Sequence, residues 1–205
     1  MVAWPDRAKM INNATVHEAL LTVPHVMMRR DITTGDATAE HLQVTMPASI
    51  SLDNVGLIEF RGRDIVPEID RDTLVLTFIL DDDTELTSGY DTEGWYQVEG
   101  GNFTKVSSTG AANMSWGDVG NGAGESFNFT LRMMSLNGTQ ATKYYHIIVN
   151  YHFDNSTLDG IRIVELYGKI TTAKRIKGFR IDTNNSGDMI NSGTMELWAS
   201  LSGFP

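Results

Sequence analysis

The chain has 205 residues, of which 41% are hydrophobic and 20% are charged, and this suffices for one globular domain with a full core. Its formal net charge of −10 repels phosphate backbones, so nucleic acid is not an expected partner. The lack of cysteine excludes disulfide bonds, and no run approaches the roughly 18 apolar residues of a membrane-spanning helix, so no membrane insertion is expected.

The amino-terminal quarter differs in pattern from the rest of the chain. Prolines interrupt its short apolar stretches, and its helix-like segment, Ala14–Val23, stops at Pro24. A segment of this kind cannot bury enough apolar surface by itself. We therefore expect residues 1–50 to form an irregular arm for attachment or subunit exchange, and residues 51–205 to form the folded domain.

From residue 55 onward, short β-rich runs alternate with polar connections. The predicted strands are Val55–Phe60, Thr73–Leu80, Gly94–Val98, Phe103–Ser107, Ser126–Met134, Lys143–Phe153 and Ile161–Ile170. Regular short strands favour an all-β fold, an antiparallel β-sandwich resembling a jelly roll. The connection Ser107–Gly124 contains five glycines and exceeds the length of a simple turn, so we predict a long surface loop there.

Alternation within the predicted strands separates a core face from an outward face. In the run Lys143–Phe153, one face is apolar and aromatic and is expected to be core. The other face, semipolar and aromatic, suits contact with another subunit or a flat ligand. This second face holds Tyr144, His146, Ile148, Asn150 and His152. The predicted core includes Leu131, Ile147, Val149, Ile163 and Leu197.

The end of the chain predicts two amphipathic strands, Arg175–Asp182 and Thr194–Leu201, which flank a polar turn. In the second strand, Met195, Leu197 and Ala199 share one face. We expect these strands to pair as a hairpin that closes the sandwich.

This closing segment resembles a pattern that ends many virion proteins of tailed phages and prophages. The matching positions are Ile176, Phe179, Arg180, Ile181, Asn185, Ser186, Gly187, Met189, Ser192, Gly193, Met195, Leu197, Trp198 and Ala199. A weaker resemblance extends through residues 72–96, where such proteins have a strand, a polar tip and a Ser-Gly-Tyr turn. The chain departs from the pattern at Trp198-Ala199, where Tyr-Gly is usual, and residues 1–49 have no counterpart.

The resemblance implies a virion structural protein of the tail-fibre-like or decoration type, built as a β-sandwich. It implies a homotrimer that contacts other virion proteins and the host surface as a tail fibre or tail appendage component. A capsid decoration protein that stabilises the head is an alternative, and a carbohydrate-binding module that contacts a host surface glycan is another. A polysaccharide-degrading enzyme is the remaining rival.

Motifs for enzymatic chemistry are missing from the sequence. It contains no G-x-S-x-G elbow, no glycine-rich phosphate loop and no H-E-x-x-H zinc helix, so we expect neither an enzyme nor a cofactor. The carboxylates at Asp81, Asp82, Asp83 and Glu85 would suit Ca²⁺, as would the turn Asp154–Gly160. A solvated strand tip is the simpler interpretation, and no metal site is predicted.

Aromatic residues near predicted loops are the candidate contact residues. Tyr90, Trp95, Tyr96 and Trp116 lie beside acidic residues, asparagine and glycine. Aromatic rings stack on sugar rings, and neighbouring polar groups bond to sugar hydroxyls. We predict that these four residues contact a partner subunit or a glycan.

Overall fold

The computed structural model describes residues 25–32, 41–48, 55–133, 140–154, 159–184 and 190–201. They form β1 (His25–Ile32), β2 (His41–Thr45), β3 (Val55–Pro67), β4 (Asp72–Leu80), β5 (Tyr90–Val98), β6 (Thr104–Ala111), β7 (Met114–Val119), β8 (Phe127–Met133), β9 (Thr142–Asp154), β10 (Asp159–Thr171), β11 (Ile176–Thr183) and β12 (Ile190–Leu201). Within these ranges, no helix is long and apolar enough to cross a membrane.

The strands form two antiparallel sheets that pack face to face. The small sheet has the order β7-β4-β11-β2, and the large sheet has the order β1-β12-β3-β8-β9-β10-β5-β6. Among the described residues, strands β7 and β9 of the two sheets form one backbone pair, between Val119 and Phe153. This arrangement confirms the predicted all-β antiparallel sandwich.

The core lies between the sheets and follows the predicted alternation. Tyr145, Ile147 and Val149 of β9 are fully buried, as are Leu131 and Leu197. Each such side chain stabilises the fold by about 1.5–3 kcal/mol through removal of apolar surface from water. The prediction was wrong for Ile163, which is 43% exposed on the opposite face of the large sheet. Its strand is apolar on both faces, so alternation did not show which face is inward.

Rings from both sheets meet at the centre of this core. Phe60 of the large sheet stacks on Phe179 of the small sheet with centroids 5.0 Å apart, and Phe78 of the small sheet packs edge-on against Tyr145 of the large sheet at 5.8 Å. Offset and edge-on pairs of this kind stabilise beyond their buried area by about 0.5–1.5 kcal/mol. The two sheets are therefore held together by interdigitated aromatic side chains.

The amino-terminal segment belongs in part to the sandwich, which corrects the prediction of an arm over residues 1–50. Strand β1 pairs with β12, and β2 pairs with β11. Leu42, Val44 and Met46 are buried in the core. A side chain at Gly178 would place its Cβ 2.3 Å from the Val44 carbonyl oxygen, so this glycine permits the close approach of β2. The helix-like segment Ala14–Val23 lies outside the described residues.

The two closing strands do not form a hairpin, so that prediction was wrong. Strand β11 pairs with β4 and β2 in the small sheet, whereas β12 pairs with β3 and β1 in the large sheet. The predicted alternation in β12 is confirmed, because Met195, Leu197 and Ala199 are buried. The two closing strands therefore belong to different sheets.

The predicted surface loop Ser107–Gly124 is largely strand. Its first part completes β6, and Met114–Val119 forms β7, which pairs with β4. Glycines with special backbone conformations explain the misleading composition: Gly110, inside β6 where the register with β5 shifts, and Gly124, before β8, adopt positive φ angles of 66° and 91°. Strand β7 is a short edge strand, where glycine inside a strand is tolerated.

Candidate functional site

The face of the large sheet turned away from the core, called the outer face below, exposes an unusual number of large apolar side chains. Five of them lie on β9 and β10 and form the apolar patch: Tyr144, Ile148, Ile161, Ile163 and Tyr167. Register places Ile148 opposite Glu165 and Ile163 opposite Asn150. The two isoleucines are thus diagonal neighbours about 7–8 Å apart. The predicted separation of β9 into a core face and a semipolar aromatic face is confirmed.

A hydrogen-bonded cluster stands within the apolar patch. His146 Nε2 lies 2.9 Å from Glu165 Oε1, and the Tyr167 hydroxyl donates to the same oxygen at 2.9 Å. The rings of His146 and Tyr167 stack with centroids 4.5 Å apart. The hydrogen bond to Glu165 raises the pKa of Tyr167, since deprotonation would remove the donor. These contacts hold both rings in one orientation on the surface.

Ion pairs cover the neighbouring part of the outer face, on β12, β3 and β8. Glu59 accepts hydrogen bonds from both Arg61 and Arg132. The Arg61 guanidinium also lies 4.4 Å from the ring centroid of Trp198, whose indole N–H donates to Glu196 at 3.0 Å. These long side chains are therefore anchored rather than freely solvated.

A shallow groove of about 630 Å³ runs between these two regions. Its floor is formed by the short side chains of β8, such as Thr130, between longer side chains on β3 and β9. Its lining includes Arg61, Arg63, Thr130, Arg132, Ile148 and Asn150. The groove thus lies between the apolar patch and the paired charged groups on the same face of the sheet.

Two of the four predicted contact residues lie buried in strands, which corrects their expected position in or beside surface loops. Tyr90 is fully buried; its hydroxyl accepts a hydrogen bond from the Phe78 amide at 2.8 Å, and burial raises its pKa. Trp116 is 5% exposed and packs against Phe127 at 5.7 Å. Tyr90 and Trp116 therefore both belong to the core.

The other two predicted residues are half-buried and point to opposite faces, because they are adjacent on β5. Trp95 lies on the outer face, where its ring meets Phe103 edge-on at 4.8 Å. Phe103 is 66% exposed and was not predicted as a contact residue. Tyr96 points inward, toward the small sheet.

The inward face of β5 borders a side cleft of about 340 Å³. It lies where the large sheet continues through β5 and β6 and the small sheet ends at β7. The side cleft is lined by Thr92, Tyr96, Val106, Ser107, Ser108, Ala111, Asn113, Met114, Ser115, Trp116, Gly117, Tyr151, Arg162, Val164 and Leu166. The structure thus brings Tyr96 and Trp116 together and leaves Trp95 and Tyr90 elsewhere.

Arg162 is a charged residue that lines the side cleft and that was not predicted as a contact residue. It occupies an inward position of β10, in line with the buried Val164 and Leu166. Its guanidinium lies 4.7 Å from the ring centroid of Tyr96, and its Nη1 donates to the Tyr151 hydroxyl at 3.1 Å. The available signal was an arginine in the same alternation phase as core residues.

The acidic tip, residues 81–85, is matched by basic residues near β11. Asp82 pairs with Lys174, Asp83 with Lys177, and Glu85 with Arg180. The hydrogen bond from Lys174 lowers the Asp82 pKa to about 2. In the part of the chain that the structure describes, no group of three or more metal-ligating side chains converges on one point. The carboxylates of the acidic tip are therefore paired with cations at the surface, beside the backbone pairing that joins β4 to β11.

Comparisons of the chain with protein-family models, with curated proteins and with solved structures found no match.

Proposed function

We propose that this chain is a non-enzymatic virion structural protein of a phage, a tail fibre or tail appendage component that assembles through its outer face and contacts the host surface. The observation that carries the proposal is the apolar patch on a sheet whose other face is already covered. Exposed apolar groups that lie together in a monomer are typical of protein interfaces. The resemblance of the closing strands to virion proteins supplies the biological setting.

The partner proposed for the outer face is a second copy of the same chain, within a homotrimer. The whole chain has a net charge of −10, so two copies repel each other in most orientations. On the outer face, however, carboxylates and cations are matched. The ion pairs there join Glu59 to Arg61 and Arg132, Glu93 to Lys105, and Asp91 to Lys169. Repulsion between copies is therefore weakest where the apolar patch lies.

The side chains of this face are also arranged in advance of any contact. The hydrogen bonds to Glu165 and the stacked rings of His146 and Tyr167 restrict rotamers before association. Immobilising a free long side chain at an interface costs about 0.5–1.5 kcal/mol. Because part of this entropy is already lost in the monomer, the face suits a permanent subunit contact.

Light scattering coupled to size-exclusion chromatography tests the assembly step. The wild-type chain is expected to elute as a trimer of 22.7 kDa subunits. Ile163→Lys places a charge in the centre of the apolar patch and should give monomers of unchanged thermal stability. Ile69→Lys alters an equally exposed isoleucine in the turn between β3 and β4, and should leave the trimer intact. A monomeric wild-type chain, or a trimeric Ile163→Lys variant, contradicts the proposed contact.

Immunogold electron microscopy of virions tests the proposed location of the protein on the phage tail. Antibodies against the chain should label the tail. Labelling of the head would favour the alternative, a capsid decoration protein, and virions without label would contradict a virion role altogether.

A further inference from the structure

Two aromatic side chains near the β6 edge of the large sheet meet at a right angle and are called the aromatic corner below. Trp95 lies on the outer face of β5, and Phe103 lies in the connection between β5 and β6. Their ring centroids are 4.8 Å apart and their planes meet at 89°. Phe103 is 66% exposed, so whichever ring presents its edge to the other, one face of the Phe103 ring remains open to solvent.

An ion pair frames the aromatic corner. Lys105 lies directly opposite Trp95 on the neighbouring strand and pairs with Glu93. The hydrogen bond from Lys105 lowers the pKa of Glu93, so this carboxylate stays ionised and accepts hydrogen bonds at neutral pH. Both side chains are exposed, and each has capacity for further hydrogen bonds besides those of the pair. Together with the aromatic corner they border an open recess of about 650 Å³, within the range of ligand pockets, about 300–1,000 Å³.

The connection that carries Phe103 is fastened from within. The Gly101 amide donates to the Val98 carbonyl at 2.8 Å, and the side-chain amide of Gln97 donates to the Gly101 carbonyl at 2.9 Å. Gly100 adopts a φ of 72°, a conformation that glycine tolerates in a tight turn. Phe103 therefore extends from a restrained backbone, and less entropy is lost when a ligand packs on its ring.

The chemistry around the aromatic corner distinguishes between classes of ligand. Charged side chains are depleted from the cores of protein interfaces, so rings framed by an ion pair do not suit the centre of a protein contact. A pyranose ring fits better, because its C–H face packs on an aromatic ring and its hydroxyls both donate and accept hydrogen bonds. The Glu93–Lys105 pair carries no net charge, and the chain as a whole carries −10 and repels an anion. These features favour a neutral sugar.

We infer that the aromatic corner binds a neutral hexopyranose unit of a surface glycan. The site shares no residue with the apolar patch, which is centred on β9 and β10, so the two contacts use different strands of one sheet. The inference rests on the proposed function for its biological setting, the host-surface contact. Binding of the sugar itself requires neither a trimer nor a virion.

Ligand-observed NMR titration of the full chain with matched probes tests the site. Methyl β-glucopyranoside should bind about fivefold more tightly than sorbitol, an acyclic polyol that lacks a rigid C–H face. It should also bind more tightly than methyl β-glucuronide, which differs from it by a carboxylate. Phe103→Ala should weaken binding of the glucoside about fivefold. Tyr144→Ala, which removes a comparably exposed ring from the apolar patch, should bind the glucoside as the wild type does.

Several results would overturn the site. Equal binding of the glucoside and sorbitol, tighter binding of the glucuronide, unchanged binding in Phe103→Ala, or an equal loss in Tyr144→Ala each contradicts it. A changed oligomeric mass of Phe103→Ala would assign the ring to the subunit contact instead. If Phe103→Ala melts below the wild type, Phe103→Leu provides the test, because it keeps apolar volume without the ring and should also weaken binding. Glucoside binding by a monomeric wild-type chain contradicts the trimer alone, and no binding by a trimeric chain contradicts this site alone.

Discussion

Strand β2 contributes buried residues from the amino-terminal quarter of the chain to the core, and Leu42→Ala measures that contribution. Leu42 is fully buried between the sheets. Truncation of a buried leucine to alanine costs about 2–5 kcal/mol, the sum of lost apolar transfer and the cavity left behind. Domains are stable by only about 5–15 kcal/mol, so one such change removes a large part of the total.

The assay is urea unfolding followed by circular dichroism. With a denaturant slope of about 2 kcal/mol/M, Leu42→Ala should lower the midpoint by about 1–2.5 M. The control is Gln43→Ala, whose side chain points away from the core on the same strand. It should change the free energy of unfolding by less than about 0.5 kcal/mol. Equal midpoints for Leu42→Ala and Gln43→Ala would refute the placement of β2 in the sandwich.

Two further variants test other corrections to the sequence-based expectations. Trp116→Ala should cost about 3–5 kcal/mol in urea unfolding because the ring is core, with Trp116→Phe as the milder control; a near-wild-type midpoint would return Trp116 to the surface. Lys174→Ala should raise the Asp82 pKa from about 2 toward its ordinary 3.8 in a carboxyl NMR titration. In the wild type, the ionised Asp82 carboxylate stabilises the fold above about pH 4, and this stabilisation is lost as the pH falls through about 2. An Asp82 pKa and an acid-unfolding profile that are both unchanged in the variant would contradict the pairing.

The sequence predicted the strands whose two faces differ in polarity. In β9, buried Tyr145 and Ile147 alternate with exposed Tyr144 and Ile148, and the hydroxyl, imidazole and amide groups of the outward face marked the direction. Pairing partners were harder to predict, because alternation specifies a face and not a neighbour. The two closing strands therefore looked like a hairpin, although each pairs within a different sheet.

Short strands and functional positions escaped prediction for related reasons. Strand β2 has five residues, so its alternation covers too few positions to stand out beside the surrounding prolines. Strand β7 is flanked and interrupted by glycines that turn and edge positions tolerate, which hid Trp116 in an apparent loop. The side cleft brings together Tyr96, Trp116 and Arg162 from three different strands, and no local sequence pattern shows such a grouping.

The two apolar faces of β10 support the proposed subunit contact. A strand that is apolar on both faces is typically covered on both faces. In β10, Val164 and Leu166 face the core, while Ile161, Ile163 and Tyr167 are exposed on the other side. The small sheet covers the first set, and the described chain leaves the second set open to solvent. The proposed subunit contact supplies the second cover.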